Sequence, residues 1–352
     1  MNKLRPITLF FFFGLLMQMN YAQIGGKSAY EFLNLPASPR LTALGGYLIS
    51  VMDEDISLTL SNPASLNVKM HNRIAFTHNF HFADIQNGYV GYGRHINKWN
   101  LNTHSGVQYI NYGDFNYADY LGNKQDQFSV RETAFIVGAS KRIAERFSAG
   151  ANLKTIFSHP ESYSSFGVAA DLGINYQNDS SQFTVALVIK NIGYEFTTYN
   201  GTRFGMPLDV QIGISKKLKY LPFRFSVIAH QLHRANARYD DPSQQSDTDI
   251  FGEPINKSSF SIAVDNLFRH LIFNGEFLLG KNQNLRLRAG YNHLRRKELS
   301  IANFRSFAGF SLGVGIKINA FKLDYGVGYH HLAGATNHIG ISTDLGSFFS
   351  KI

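Results

Sequence analysis

The chain has 352 residues, rich in glycine (31), phenylalanine (30) and tyrosine (18), and has no cysteine. That excludes disulfides, thiolate metal sites and a lipid-anchored lipoprotein N-terminus. The formal charge of +9 falls to +7 once Lys3 and Arg5 leave with a leader, 32 basic residues against 25 acidic. In an exported protein this balance points to anionic lipopolysaccharide or an acidic partner, and away from nucleic acid.

Lys3 and Arg5 precede an apolar run from Ile7 to Met19, the pattern of a secretory signal peptide over residues 1–22. The run is shorter than the roughly 20 residues that a membrane helix needs, which argues against an anchor. Cleavage after Ala22 would leave Gln23 first, although Asn20 stands where a small residue is usual. No later stretch is apolar enough for a membrane helix, and a membrane protein without one must be a closed barrel.

Residues 23–70 do not alternate. Pro36, Pro39 and Pro63 break any strand that must donate to a ladder. Ala43-Leu44-Gly45-Gly46, Asp53-Glu54-Asp55 and Asn62-Pro63-Ala64 punctuate short helical or turn pieces. The Leu, Phe and Tyr content argues against a solvated tail and for a plug ahead of a wide barrel.

From Arg73 onward the chain alternates apolar and polar residues, which strands turn to opposite faces. Strands are expected at 73–82, 86–96, 99–112, 127–142, 146–158, 163–177 and 181–193. Seven more are expected at 208–218, 223–232, 271–280, 284–292, 307–318, 321–330 and 337–345. Phe321, Leu323, Tyr325, Val327 and Tyr329 would face lipid, while Lys322, Asp324, Gly326 and Gly328 face the lumen. Leu285, Leu287, Ala289 and Tyr291 repeat this outside, with Arg286, Arg288, Gly290 and Asn292 inside. A soluble sandwich would not seal such charges unpaired in its core. Connections after even strands are tight, as at Asn97-Lys98, Ala144-Glu145 and Asn319-Ala320. Several after odd strands are long: Gly113 to Asp126, Tyr194 to Pro207, His233 to His270 and His293 to Ser306. An all-β, transmembrane, antiparallel up-and-down barrel of about 14 strands, residues 71–352, has this rhythm, its long loops facing the cell surface.

Chemical motifs are weak. Gly309-Phe310-Ser311-Leu312-Gly313 matches a nucleophile elbow, but it continues a strand where an elbow needs a helix. Gly88 to Gly93 superficially matches a phosphate loop, yet no helix or Walker lysine follows. His78 and His81 are three apart and point to opposite faces of a strand, as do His330 and His331. The pair His230 and His233 also reads as structural. No catalytic, cofactor or metal site is expected. Arg295-Arg296-Lys297, in an outer loop, is the candidate contact for lipopolysaccharide phosphate. The 233–270 loop, acidic at Asp240, Asp241, Asp247, Asp249 and Glu253, is a candidate partner-docking element. Its later part, Ser258 to His270, is apolar enough to fold.

Several blocks together resemble the PorV/PorQ family of FadL-like barrels of the type IX secretion system. They are Ala29 to Leu33, Leu35-Pro36, Ser38, Arg40 to Gly46, Asn62 to Ala64, Gly290 to Arg296 and His331 to His338. The likeness runs over essentially the whole mature chain, although the Asn-Pro-Ala element alone is shared with fatty-acid transporters. The resemblance implies a noncatalytic fourteen-stranded barrel in a cell-surface attachment complex. PorU, PorV and a PorZ-like surface protein would be its partners. That complex removes the sorting domain of exported cargo and couples cargo to anionic lipopolysaccharide; the peptidase chemistry would lie in PorU, and this chain would hold the PorZ-like protein. Two other readings are a FadL-like transporter of hydrophobic small molecules and, on Ser311, a lipid-modifying enzyme.

Overall fold

The computed structural model describes residues 28–118, 123–161, 163–199, 201–238, 258–299, 307–331 and 334–349. The expected signal peptide, and the acidic stretch from Asp240 to Glu253, lie outside them. Fourteen antiparallel strands close into one barrel. They are β1 (Arg73–Phe80), β2 (Gln86–Ile96), β3 (Leu101–Ala118), β4 (Lys124–Ala144), β5 (Phe147–Pro160), β6 (Ser165–Asn178), β7 (Phe183–Thr197), β8 (Asp209–Lys217), β9 (Phe223–Ala229), β10 (Leu271–Leu279), β11 (Leu285–Asn292), β12 (Phe310–Ile318), β13 (Phe321–His331) and β14 (Gly334–Asp344). Each strand pairs with its sequence neighbours, and β1 closes on β14 from Arg73↔Asp344 to Phe80↔Asn337. No strand edge is left open, so every wall backbone group can pair without water.

Alternation sets the two faces. Along β11, Leu285 and Leu287 are exposed while Arg286, Arg288, Gly290 and Asn292 are buried. Along β13, Phe321, Leu323 and Tyr325 are exposed and Lys322 is buried. The outer surface is therefore apolar and suited to lipid, and the inner wall carries the polar side chains.

One end of the barrel has tight turns and the other the longer connections. Two expected loops begin as strand: β7 runs on to Thr197, and the Gly113 to Asp126 loop is mostly strand. β3 and β4 run 18 and 21 residues, well beyond the roughly 9–11 that cross a bilayer. Asp114↔Ser129, Phe115↔Phe128 and Asn116↔Gln127 continue the ladder, and stacked Phe115 and Phe128 support it at 5.4 Å. Cross-strand aromatic pairing holds the hairpin where polarity alone suggested a loop. Among the helices are α1 (Pro39–Ala43), inside the barrel, and α2 (Ser259–Arg269) and α3 (His293–Glu298), in long connections.

Residues 29–70 traverse the lumen. Ala29 N donates to Gly205 O (2.9 Å) in the β7–β8 connection at the long-connection end. The turn Val68–Met70 then leads into β1 at the tight-turn end. Phe32, Leu33, Leu41, Leu44, Leu48, Leu58 and Leu60 are buried with wall residues Tyr89, Ile110, Ile136 and Ile156. Each such side chain contributes about 1.5–3 kcal/mol by leaving water. The barrel thus has a true hydrophobic core, supplied by its own N-terminal segment.

Candidate functional site: the filled lumen

The segment folds by capping, since it is too short and too rich in proline for regular structure. Ser38 Oγ accepts from Leu41 N (3.3 Å) and Pro39 opens α1, the arrangement favoured at a helix start. Gly45 and Gly46 follow with φ of 77° and 97°, ending α1 in the left-handed region that glycine adopts without strain. Asp55 caps the turn Ile56–Leu60, and Asn62 caps Pro63–Ser65 by accepting from Ala64 N (2.9 Å).

The same capping blocks fasten the segment to the wall. Ser311 Oγ accepts from Gly45 N (2.9 Å) and donates to Ala43 O (3.0 Å). Asn292 Nδ2 donates to Gly45 O (3.2 Å), and Asn274 Nδ2 to Leu44 O (3.3 Å). Asn62 Nδ2 donates to Ile49 O (2.7 Å) within the segment and to Asn175 Oδ1 (2.6 Å) on β6. Ser148 Oγ donates to Ala64 O (3.1 Å), and the Pro63 backbone lies so close to Gly150 that a Cβ there would sit 2.5 Å from it. All seven candidate plug residues, Ala43 to Gly46 and Asn62 to Ala64, therefore lie against the inner wall. Ser311 is a buried docking residue here, its hydroxyl engaged by backbone atoms of the segment.

An ion network locks the middle. Arg40, fully buried, reaches Asp53 Oδ2 (2.8 Å), Asp55 Oδ2 (3.1 Å) and Glu276 Oε1 (3.0 Å). Glu276 on β10 also binds Arg224 and Arg288 (3.1 Å), and Arg288 binds Asp324 (2.6 Å). Lys322 closes the set between Asp324 (3.1 Å) and Asp55 (3.5 Å). Four cations and four carboxylates neutralise one another, so burial does not strand a charge. Burial alone would raise both segment carboxyls. For Asp53 the Arg40 guanidinium, and for Asp55 Lys322 and Arg40, outweigh burial and hold each well below the usual carboxylate range. The lumen-facing charges of β11 and β13 are legible in the sequence. That Arg40 would meet Glu276 on β10 is not, because nothing in an isolated segment says which wall positions it meets. The available signal was need: inward charges require partners, which the wall supplies in part and the upstream segment in part.

A void beside Leu33, Tyr47 and Gln211 holds about 20 Å³, room for about one water. The tight-turn mouth is a polar vestibule of about 830 Å³, lined among others by Asp53, Glu54, Lys217, Arg286 and Lys317.

The basic triplet divides. Arg295 turns inward: its guanidinium lies over Gly46, 3.3 Å from where a Cβ would stand, and Nη1 is buried. It therefore does not share a surface with Lys297, which is exposed and reaches Asp265 (3.4 Å). Asn292 caps α3 by accepting from Arg295 N (3.1 Å), and this cap aims the Arg295 side chain into the barrel mouth. His78 and His81 take separate partners: His78 bonds Tyr109 (2.8 Å) and His81 bonds Asn87 (2.6 Å).

No protein-family model and no curated protein matches this chain. Among solved structures, the CymD monoaromatic hydrocarbon channel aligns with 90% of this chain and 99% of its own, at 13% identity and a TM-score of 0.52. The Pseudomonas putida toluene transporter TodX aligns with 88% of this chain and 96% of its own (10% identity, TM-score 0.49). A Pseudomonas aeruginosa FadL homologue aligns with 87% and 98% (10% identity, TM-score 0.46). The likeness to CymD is one of fold, a closed antiparallel barrel.

Proposed function

We propose that this chain is a noncatalytic outer-membrane barrel that anchors a surface partner in a protein-secretion apparatus. The observation that carries this reading is the filled lumen. Residues 29–70 occupy it from end to end, and Arg40 ties them to the wall through buried ion pairs. A conduit for hydrophobic molecules needs an apolar path, and this filling meets the wall through polar bonds at both the Gly45 and Asn62 turns. The resemblance to type IX secretion barrels supplies the apparatus: a PorZ-like protein held at the surface, beside PorU- and PorV-like members. In this reading residues 1–22 are a signal peptide, 23–70 the plug and 71–352 the barrel, with the long connections outward. Lys297, and Arg296 beside it, would meet lipopolysaccharide phosphate.

The fold likeness lends support to a second reading, transport of hydrophobic small molecules, since CymD is described as a monoaromatic hydrocarbon channel. Transport would require the N-terminal segment to move. The two readings separate in a pull-down of the tagged chain from gently solubilised outer membranes of its host, with mass spectrometry of proteins and lipids. A large surface protein, lost when the 233–270 connection is deleted, supports anchoring. The barrel alone with a bound apolar compound supports transport and sinks the anchor.

A further inference from the structure

Helix α2 carries a second, independent message about the membrane. It spans 11 residues, Ser258 Oγ caps its start by accepting from Ser261 N (3.2 Å), and none of its residues is buried. At about 100° per residue, Phe260, Val264, Leu267 and Phe268 fall on one side. Phe260 is 79% exposed, Leu267 57% and Phe268 40%. Three large apolar groups on one short helix are costly to leave in water, at about 1.5–3 kcal/mol for each one fully buried.

The polar side of α2 is already used. Asp265 binds Arg269 (2.8 Å) on its own helix and reaches His293 (3.4 Å) and Lys297 (3.4 Å) on α3. Asn266 Nδ2 donates to Ala235 O (2.8 Å) and its Oδ1 accepts from Ala237 N (2.9 Å). These bonds fix the helix on the barrel rim with Phe260 and Leu267 turned away from the protein.

Its depth is fixed by ring contacts. Phe273, Tyr291 and Phe310 are cross-strand neighbours in one outward row, paired as Phe273↔Tyr291 and Tyr291↔Phe310. Such a row at the strand ends is the aromatic girdle that barrels place at the boundary of hydrocarbon and headgroup. Phe268 packs on Phe273, ring centroids 6.3 Å apart, and on His293 at 5.9 Å. The apolar side of α2 is thus continuous with the lipid-facing wall. Arg269, Arg296 and Lys297 lie along the same rim, where phosphate headgroups would be.

We infer that α2 is an interfacial helix, seated on the membrane with Phe260, Leu267 and Phe268 in the acyl boundary and its basic neighbours at anionic headgroups. A helix of this kind sinks its apolar face roughly 5–10 Å into the boundary region. The inference rests on the barrel fold alone and holds whether the barrel anchors a partner or carries a solute.

The chain has no cysteine, so single labels can be placed cleanly. Phe260→Cys and Leu267→Cys carry a nitroxide in barrels reconstituted into phosphatidylcholine vesicles containing phosphatidylglycerol. Phe277→Cys, on the outward face of β10, is the lipid reference, and Lys219→Cys, in a tight turn, the water reference. Heat-modifiable gel migration checks that each barrel is folded. Electron paramagnetic resonance then compares collisions with oxygen, which partitions into lipid, and with a water-soluble nickel chelate. Both helix positions are expected to favour oxygen, as Phe277→Cys does. A water-like reading at either position, with the references behaving, overturns the inference and leaves the face for a protein partner.

Discussion

Replacing Arg40 by methionine should loosen the N-terminal segment without expelling it. Arg40 makes five charge-assisted bonds of 2.8–3.1 Å to Asp53, Asp55 and Glu276. Taking one partner from a buried ion set costs about 3–5 kcal/mol. The lower figure applies, because Glu276 keeps Arg224 and Arg288 and Asp55 keeps Lys322. Against this stand seven buried Leu and Phe side chains of the segment, together on the order of 10–20 kcal/mol before chain entropy. The loss is real but smaller than what still holds the segment. About 3 kcal/mol is roughly a 150-fold change in an equilibrium. Hydrogen exchange followed by mass spectrometry on the folded barrel in detergent reads it directly. Amides in 38–46 and 53–58 should exchange on the order of 100-fold faster, while β4 to β6 stay protected. Unchanged protection in both stretches would refute the reasoning and make the ion network incidental to docking.

Other consequences can be checked with the same preparation. Ser311→Ala leaves Gly45 N without its wall acceptor and should cost about 1–3 kcal/mol of segment docking, seen as faster exchange at Gly45; loss of a hydrolytic activity instead would revive an enzyme reading. Gly326→Val would drive a Cβ to 2.2 Å from Pro39 O, so overpacking of about 1–3 kcal/mol should displace α1 and expose it to protease. Acid should act late. The folded-state pKa values of Asp53 and Asp55 lie below the ordinary value near 3.9. Their stabilising contribution is therefore present above that ordinary value and is lost as pH falls through the folded-state values. Hydrogen-exchange protection of amides in 53–58, corrected for the intrinsic pH dependence of exchange, should hold from neutral pH to about pH 4 and decline only below. A decline beginning near pH 6 would contradict the pairing.

Much of the architecture was readable without coordinates. All fourteen strands follow from a period of two, because a wall between lipid and a polar lumen imposes opposite chemistry on successive residues. The turns at Asn97-Lys98 and Asn319-Ala320 mark their ends. The extended β3–β4 hairpin escaped because Gly113 to Asp126 is polar enough to read as loop, while cross-strand pairs such as Phe115 with Phe128 continue the ladder.

What sequence determined by itself is local: strand periodicity, caps at Ser38, Asp55 and Asn62, and left-handed glycines after α1. These depend on neighbours one to four positions away, and so survive in a one-dimensional reading. Which charge meets which was decided only by closing the barrel. Arg40 and Glu276 are 236 positions apart, as remote in sequence as Asp265 and Lys297 are near in space. The inward turn of Arg295 has the same origin, since three adjacent basic residues look alike until a helix wraps them and a lumen takes one. Long-range electrostatics and packing are properties of the enclosed volume, and that volume exists only once β1 has found β14.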